Sequence, residues 1–225
     1  MPRTRPAPMP SPSGALPSRT EEGAAASSVK YTAKYLRVLD AAARQFSEKG
    51  YHVATTKDIA ESLGVQQGSL YYYIRSKEAA LEQICFVAMK GYVDFSAGIL
   101  RSRKPTTEKI EELVFRHLQT LDERPDFFRV FLAHRQELST EPRHALGRQI
   151  REYEANVEGI LRQGVRRGEL RADCDCRIAA LGLMGMCNAV VGWHTKRGSQ
   201  PVRDIAVELS RMVVDGLRAP VLKVR

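Results

Sequence analysis

Gln66, Gln67, Ser69, Tyr71, Tyr72 and Tyr73 crowd into one short stretch, with Thr55 and Thr56 shortly ahead and Lys77 just behind. A glutamine amide presents a donor and an acceptor in one plane and can bond bidentately to an adenine edge. Ser and Tyr hydroxyls can donate to phosphate oxygens. This is chemistry for reading a nucleic acid, not for making or breaking a bond. No Gly-x-Ser-x-Gly, His-Glu-x-x-His, phosphate loop or dinucleotide fingerprint occurs. His52, His117, His134, His144 and His194 are scattered, so no enzyme is expected.

Charge and composition agree. The 225 residues hold 35 Lys plus Arg against 26 Asp plus Glu, a net charge of +9 that suits a polyanionic partner. With 43% hydrophobic residues the chain can build a real core. Cys85, Cys174, Cys176 and Cys187 form neither a disulfide framework nor a zinc pattern, so no metal and a reducing, cytoplasmic setting are expected. No signal peptide is visible, and the apolar run Ile178–Trp193 is shorter than a membrane helix needs, so no membrane partner is expected.

The elements that must hold these side chains are helices. Residues 1–28, rich in Pro, Ser, Ala and Gly, are expected to be a disordered tail. From Val29 the apolar positions Leu36, Leu39, Ala43 and Phe46 recur at helical spacing up to Gly50. Thr55-x-x-Asp58 reads as a capping box opening a short second helix, broken at Gly64, and a third runs to about Ile74. This helix-turn-helix buries Ile59, Leu63, Val65 and Leu70 and frees the polar face, with Gln66 and Gln67 nearest the bases. At least one of the three tyrosines is expected to pack inward. A fourth helix runs from Ser76 to about Arg103, and five more reach Gly216, with boundaries at Pro105, Pro125, Pro142, Gly168 and Pro201. The expected fold is all-α with about nine helices. Its divisions are a tail (1–28), a DNA-binding head (29–77), a ligand-binding and dimerisation domain (78–218) and a C-terminal tail (219–225).

Thr56-Lys57-Asp58-Ile59-Ala60, Gly64-Val65, Gly68-Ser69-Leu70-Tyr71-Tyr72-Tyr73 and Ser76-Lys77-Glu78 together resemble the signature of the TetR family of transcriptional regulators. The match is close over residues 31–85. It departs mildly at Ile74, where the family usually has Phe, and at Tyr73, where it often has His. The resemblance implies that Thr56, Tyr71 and Lys77 hold phosphates, that Gln66, Gln67 and Tyr72 approach bases, and that Ser69 contacts backbone or base. It further implies a homodimer on a palindromic operator, paired through the eighth and ninth helices. Ile178–Trp193 is apolar nearly all round, and Ile205, Leu209, Met212 and Val213 add a second stripe.

The family keeps a cavity for a small apolar effector among helices four to seven, and no cofactor beyond that ligand is implied. Met89, Tyr92, Phe95, Phe115, Phe127, Phe128, Phe131, Arg135, Tyr153, Met184, Asn188 and Trp193 are the residues expected to line it. Gly185-Met186-Cys187-Asn188 through Trp193 and Gly198, with Glu137 and Pro142 ahead of the seventh helix, resemble the branch that senses acyl-CoA thioesters in lipid or sterol breakdown. In that reading Arg101, Arg103, Arg135 or Arg151 meets the CoA phosphates. The expected function is a repressor released by such a ligand. The alternative is an architectural or cell-cycle DNA-binding factor of the same fold, with a filled core in place of the cavity.

Overall fold

The computed structural model describes residues 19–194 and 200–219, with side chains from Thr32 onward. The expected tail over residues 1–18, Gly198, and the chain beyond Ala219 lie outside the described residues. Residues up to Arg37 form a unit of their own, and Val38–Arg225 form the second, which carries both functional surfaces.

Ten α-helices and one short 3-10 turn make up the described chain. They are α1 (Arg19–Lys49), α2 (Thr56–Leu63), α3 (Gln67–Leu70), α4 (Lys77–Met89), α5 (Tyr92–Arg101), α6 (Thr106–Glu123) and α7 (Pro125–His134), then the turn Arg135–Glu137, α8 (Thr140–Arg166), α9 (Cys176–Trp193) and α10 (Val202–Leu217). This is the expected all-α plan, with three local differences. α1 begins at Arg19, inside the segment read as tail, where Glu21 and Glu22 precede the strong helix formers Ala24–Ala26. The expected fourth helix is two, because Gly91 takes φ 90° and restarts the chain as α5. α3 stops at Leu70 instead of Ile74, and the three tyrosines follow it as turns.

Two cores position the functional surfaces. In the head, Leu39, Ala42, Ala43 and Phe46 of α1 are buried, as are Ile59 and Ala60 of α2, Leu70 of α3 and Ile74. The hydroxyl of Thr55 accepts from Asp58 N at 3.1 Å, and Asp58 Oδ2 accepts from Thr55 N at 2.7 Å, so the expected capping box is complete. Gly64 closes the turn at φ 66°, which any side chain would resist. In the larger part, α4 packs on α7 and α8, α5 on α6 and α8, α6 on α10, and α9 on α6, α7 and α8. α9 is long and apolar enough by composition to cross a membrane, but its Ala180, Leu183, Met184, Cys187 and Val190 are buried against these neighbours.

Candidate DNA-reading surface and effector pocket

The short α3 leaves its polar residues on an exposed surface. Gln67 Nε2 donates to Thr56 Oγ1 at 2.9 Å and to the Tyr71 hydroxyl at 3.5 Å, while those two oxygens lie 3.4 Å apart. Half-buried Thr56 and exposed Gln67 and Tyr71 thus form one cluster at the surface, and Gln66 and Ser69 are exposed beside it. Tyr72 is 72% exposed, its ring set edge-on against Tyr73 at 5.1 Å. No tyrosine of the three is buried: Tyr73 is half-buried, and Leu70 and Ile74 take the inward positions. Val65, in the turn that follows Gly64, is likewise exposed, and Leu63, the last residue of α2, is only half-buried.

Thr55 spends its side chain on the α2 cap. A hydrogen bond from Lys49 Nζ, at 2.6 Å, and those from Thr55 hold the Asp58 carboxyl well below the usual carboxylate range. Lys77 bridges the head to α4. Its Nζ donates to the backbone carbonyls of Tyr51 (2.9 Å) and His52 (3.2 Å) and lies 4.6 Å from the Tyr51 ring centroid. Burial pushes the Tyr51 phenol up to about 12.

A cavity of about 210 Å³ opens among α4 to α9. Of the expected lining residues it brings together Met89, Tyr92, Phe128, Phe131, Arg135, Tyr153, Met184 and Asn188. Four others stand away. Phe95 backs the wall, its ring 5.2 Å from Tyr92 and 6.0 Å from Tyr153. Phe115 lies one position round α6 from the buried stripe and faces a groove against α10. Phe127 is buried with Arg124 5.0 Å from its ring centroid, and Trp193, at the end of α9, is exposed. Arg101, Arg103 and Arg151 are exposed and line no part of the cavity, which leaves Arg135.

His117, Leu132, Ile150, Glu154, Leu181 and Gly185 complete the lining and lie outside the expected set. His117 is the informative one. It interrupts the α6 stripe Ile110, Leu113, Val114, Leu118 and Leu121, and a polar residue on an apolar stripe is a readable signal. Nε2 faces Asn188 Oδ1 at 3.1 Å, an atom that can only accept, so Nε2 carries the ring proton. Nδ1 is then the acceptor of the Tyr153 hydroxyl proton at 2.9 Å. The Tyr92 hydroxyl donates to the His117 carbonyl at 3.1 Å. Burial lowers the His117 pKa to about 4, keeping it neutral, and raises Tyr92 and Tyr153 well above the ordinary phenol value.

The two surfaces are physically joined. α4 runs from Lys77 in the head to Met89 in the cavity wall. α7, whose Phe128 and Phe131 line the cavity, is tied to the head at both ends. Arg124 at its start pairs with Asp40 of α1 at 3.1 Å. Beyond its end, the turn Arg135–Glu137 places Arg135 in the cavity wall and Glu137 3.2 Å from His52. Among the described residues no group of His, Cys, Asp and Glu could hold a metal ion.

Comparison with known proteins finds relatives for both parts of the chain. Residues 38–84 match the model for bacterial regulatory proteins of the tetR family. Residues 103–217 match the model for a tetracyclin repressor-like C-terminal domain. The chain is 29% identical over 195 residues to the HTH-type transcriptional repressor KstR2 of Rhodococcus jostii, covering 81% of this chain and 90% of that one. It is 25% identical over 158 residues to the fatty acid metabolism regulator protein of Bacillus subtilis, covering 70% and 81%. The crystal structure of the TetR family regulator PfmR from Thermus thermophilus superposes with a TM-score of 0.74 at 28% identity, covering 80% of this chain and 97% of that one.

Proposed function

The chain belongs to the TetR family of transcriptional regulators, a family of DNA-binding proteins and not of enzymes, and from that premise we propose that it is a dimeric repressor released from a palindromic operator by an acyl-CoA or a related thioester. The observation that carries this reading is that one helix, α4, has Lys77 in the head and Met89 in the cavity wall. A ligand that shifts the wall therefore shifts the head. A filled core would have favoured an architectural factor without effector, and a cavity of about 210 Å³ favours an effector. The kinship to a repressor and to a fatty acid metabolism regulator supports repression and a lipid-derived ligand. Half-buried Arg135 supplies a cation for the CoA phosphates, and such a regulator works in the cytoplasm, where chromosome and thioester meet.

Dimerisation through α9 and α10 is supported by what their outer faces expose. On α9, Ile178, Leu181, Gly182, Gly185, Ala189, Gly192 and Trp193 form one exposed stripe. On α10, Val207 and Met212 are exposed, whereas Ile205 and Val213 of the expected stripe face the chain's own core. Ile178 is 68% and Met212 62% exposed, an apolar patch of the kind a second copy covers. Fluorescence anisotropy of labelled DNA from upstream of the protein's own gene tests the reading. Release by a thioester but not by its free acid is expected. DNA binding indifferent to every thioester would exclude the CoA ligand and keep the regulator.

A further inference from the structure

We propose that the cavity selects a short acyl group by its carbonyl oxygen, with Asn188 as the donor and His117 as the residue that aims it; this rests on the proposed thioester effector. Each proton of the buried cluster has a definite destination. The His117 Nε2 proton goes to Asn188 Oδ1, the Tyr153 proton to His117 Nδ1 and the Tyr92 proton to the His117 carbonyl. Every donor of these three rings is committed inside the protein. The Asn188 carboxamide is thereby fixed through its oxygen, and its Nδ2 protons have no partner among the described residues. Asn188 lines the cavity, so that amide is a donor held ready for a ligand oxygen. A neutral His117 keeps this arrangement, because a second ring proton would displace the Tyr153 donor.

Size and charge define the rest of the ligand. About 210 Å³ lies below the roughly 300–1,000 Å³ of ordinary small-molecule pockets. That is room for a short chain and not for a long fatty tail or a ring system of steroid dimensions. The walls contributed by Met89, Phe128, Ile150 and Met184 suit such a chain. Glu154 is neutralised by Arg177 at 2.9 Å, whereas Arg135 pairs with no carboxylate among the described residues and donates one bond to the Leu132 carbonyl at 2.9 Å. The cavity therefore carries an uncompensated positive charge at a half-buried position, where an anionic carrier outside the chain would sit.

Calorimetric titration of the full chain with butyryl-, hexanoyl-, octanoyl-, lauroyl- and palmitoyl-CoA, and with S-hexyl-CoA, which lacks the carbonyl, tests this. Hexanoyl- or octanoyl-CoA is expected to bind tightest and palmitoyl-CoA at least tenfold more weakly. S-hexyl-CoA is expected to bind about tenfold more weakly than hexanoyl-CoA, the worth of one buried hydrogen bond. Asn188→Leu should erase the difference between thioester and thioether while retaining CoA binding, and His117→Phe should shrink it by releasing the amide. Equal affinity of hexanoyl- and S-hexyl-CoA for the unaltered protein overturns the proposal, as does a palmitoyl affinity matching hexanoyl. Either leaves the thioester-responsive repressor standing. No binding of any thioester overturns both.

Discussion

Two polar clusters of similar composition sit in this chain and behave oppositely. Thr56, Gln67 and Tyr71 bond to one another on the exposed face of the head. Tyr92, His117, Tyr153 and Asn188 bond to one another beside the cavity, where Tyr92, His117 and Tyr153 are buried. Water competes for every bond of the first cluster, so its members can exchange partners for phosphate and base at little cost. Tyr92, His117 and Tyr153 of the second are shut off from water, so a lost partner leaves one of these buried groups unsatisfied at about 1–3 kcal/mol. The same chemistry is adaptable in one place and fixed in the other. An adaptable surface suits docking onto a long polymer, and a fixed donor suits discrimination among small molecules.

The contrast breaks most visibly if His117 is removed. His117→Leu strands the buried Tyr153 hydroxyl and releases the half-buried Asn188 oxygen, so a loss of about 1–3 kcal/mol is expected from the hydroxyl alone. Its proton linkage gives a second signature. The native pKa of about 4 lies below the ordinary 6.5, so the unfolded chain binds the extra proton between those values. Stability from this group is complete above the ordinary value and drains as pH falls toward the native one, by at most about 1.4 kcal/mol per pH unit. Urea denaturation across that window should show the slope in the parent and a flatter profile in His117→Leu; matching profiles would mean the histidine is not held neutral by burial.

Changes in the exposed cluster should alter binding and spare stability. Gln67→Ala is expected to relax one base preference by about 1–3 kcal/mol. Tyr71→Phe should weaken all sequences alike by about 0.5–1.5 kcal/mol. Both should leave folding within about 0.5 kcal/mol. Anisotropy against a panel of single-base operator variants separates the two, and an intact preference in Gln67→Ala would place the head in the wrong register on DNA. The smallest effect concerns the link between clusters. His52 and Glu137 are exposed, so their pair contributes at most about 1 kcal/mol. Glu137→Gln should leave DNA and thioester affinities nearly unchanged when each is measured alone, yet lower by a few fold the factor by which one weakens the other.

The head is legible in the sequence because its signals are local. A capping box, a turn glycine and the polar run after it all fall between Thr55 and Lys77, and the structure keeps them together. Only fine placement fails there: Val65 is exposed in the turn after Gly64, and Tyr71 and Tyr72 face outward because α3 ends after a single turn. The cavity is legible only in part, since six helices contribute to it and sequence spacing says little about which of them meet. Aromatic type alone misplaces Phe115, one position off the buried stripe of α6, and Trp193, at a helix end. His117 reads as one more scattered histidine, although its place on that stripe marks it as buried and in need of partners. Gly91 breaks the long fourth helix, a break that an isolated glycine in a helical pattern permits without requiring.

If cavity and head share one equilibrium, linkage between their ligands must show it, whatever path joins them. Hexanoyl-CoA affinity should be measured by calorimetry with the chain free and with it saturated by DNA from upstream of its own gene. The expected result is a weakening of about tenfold on DNA, a coupling of about 1.4 kcal/mol, matched by an equal weakening of DNA affinity by the thioester. Identical thioester affinities in the two states would contradict a ligand-released repressor.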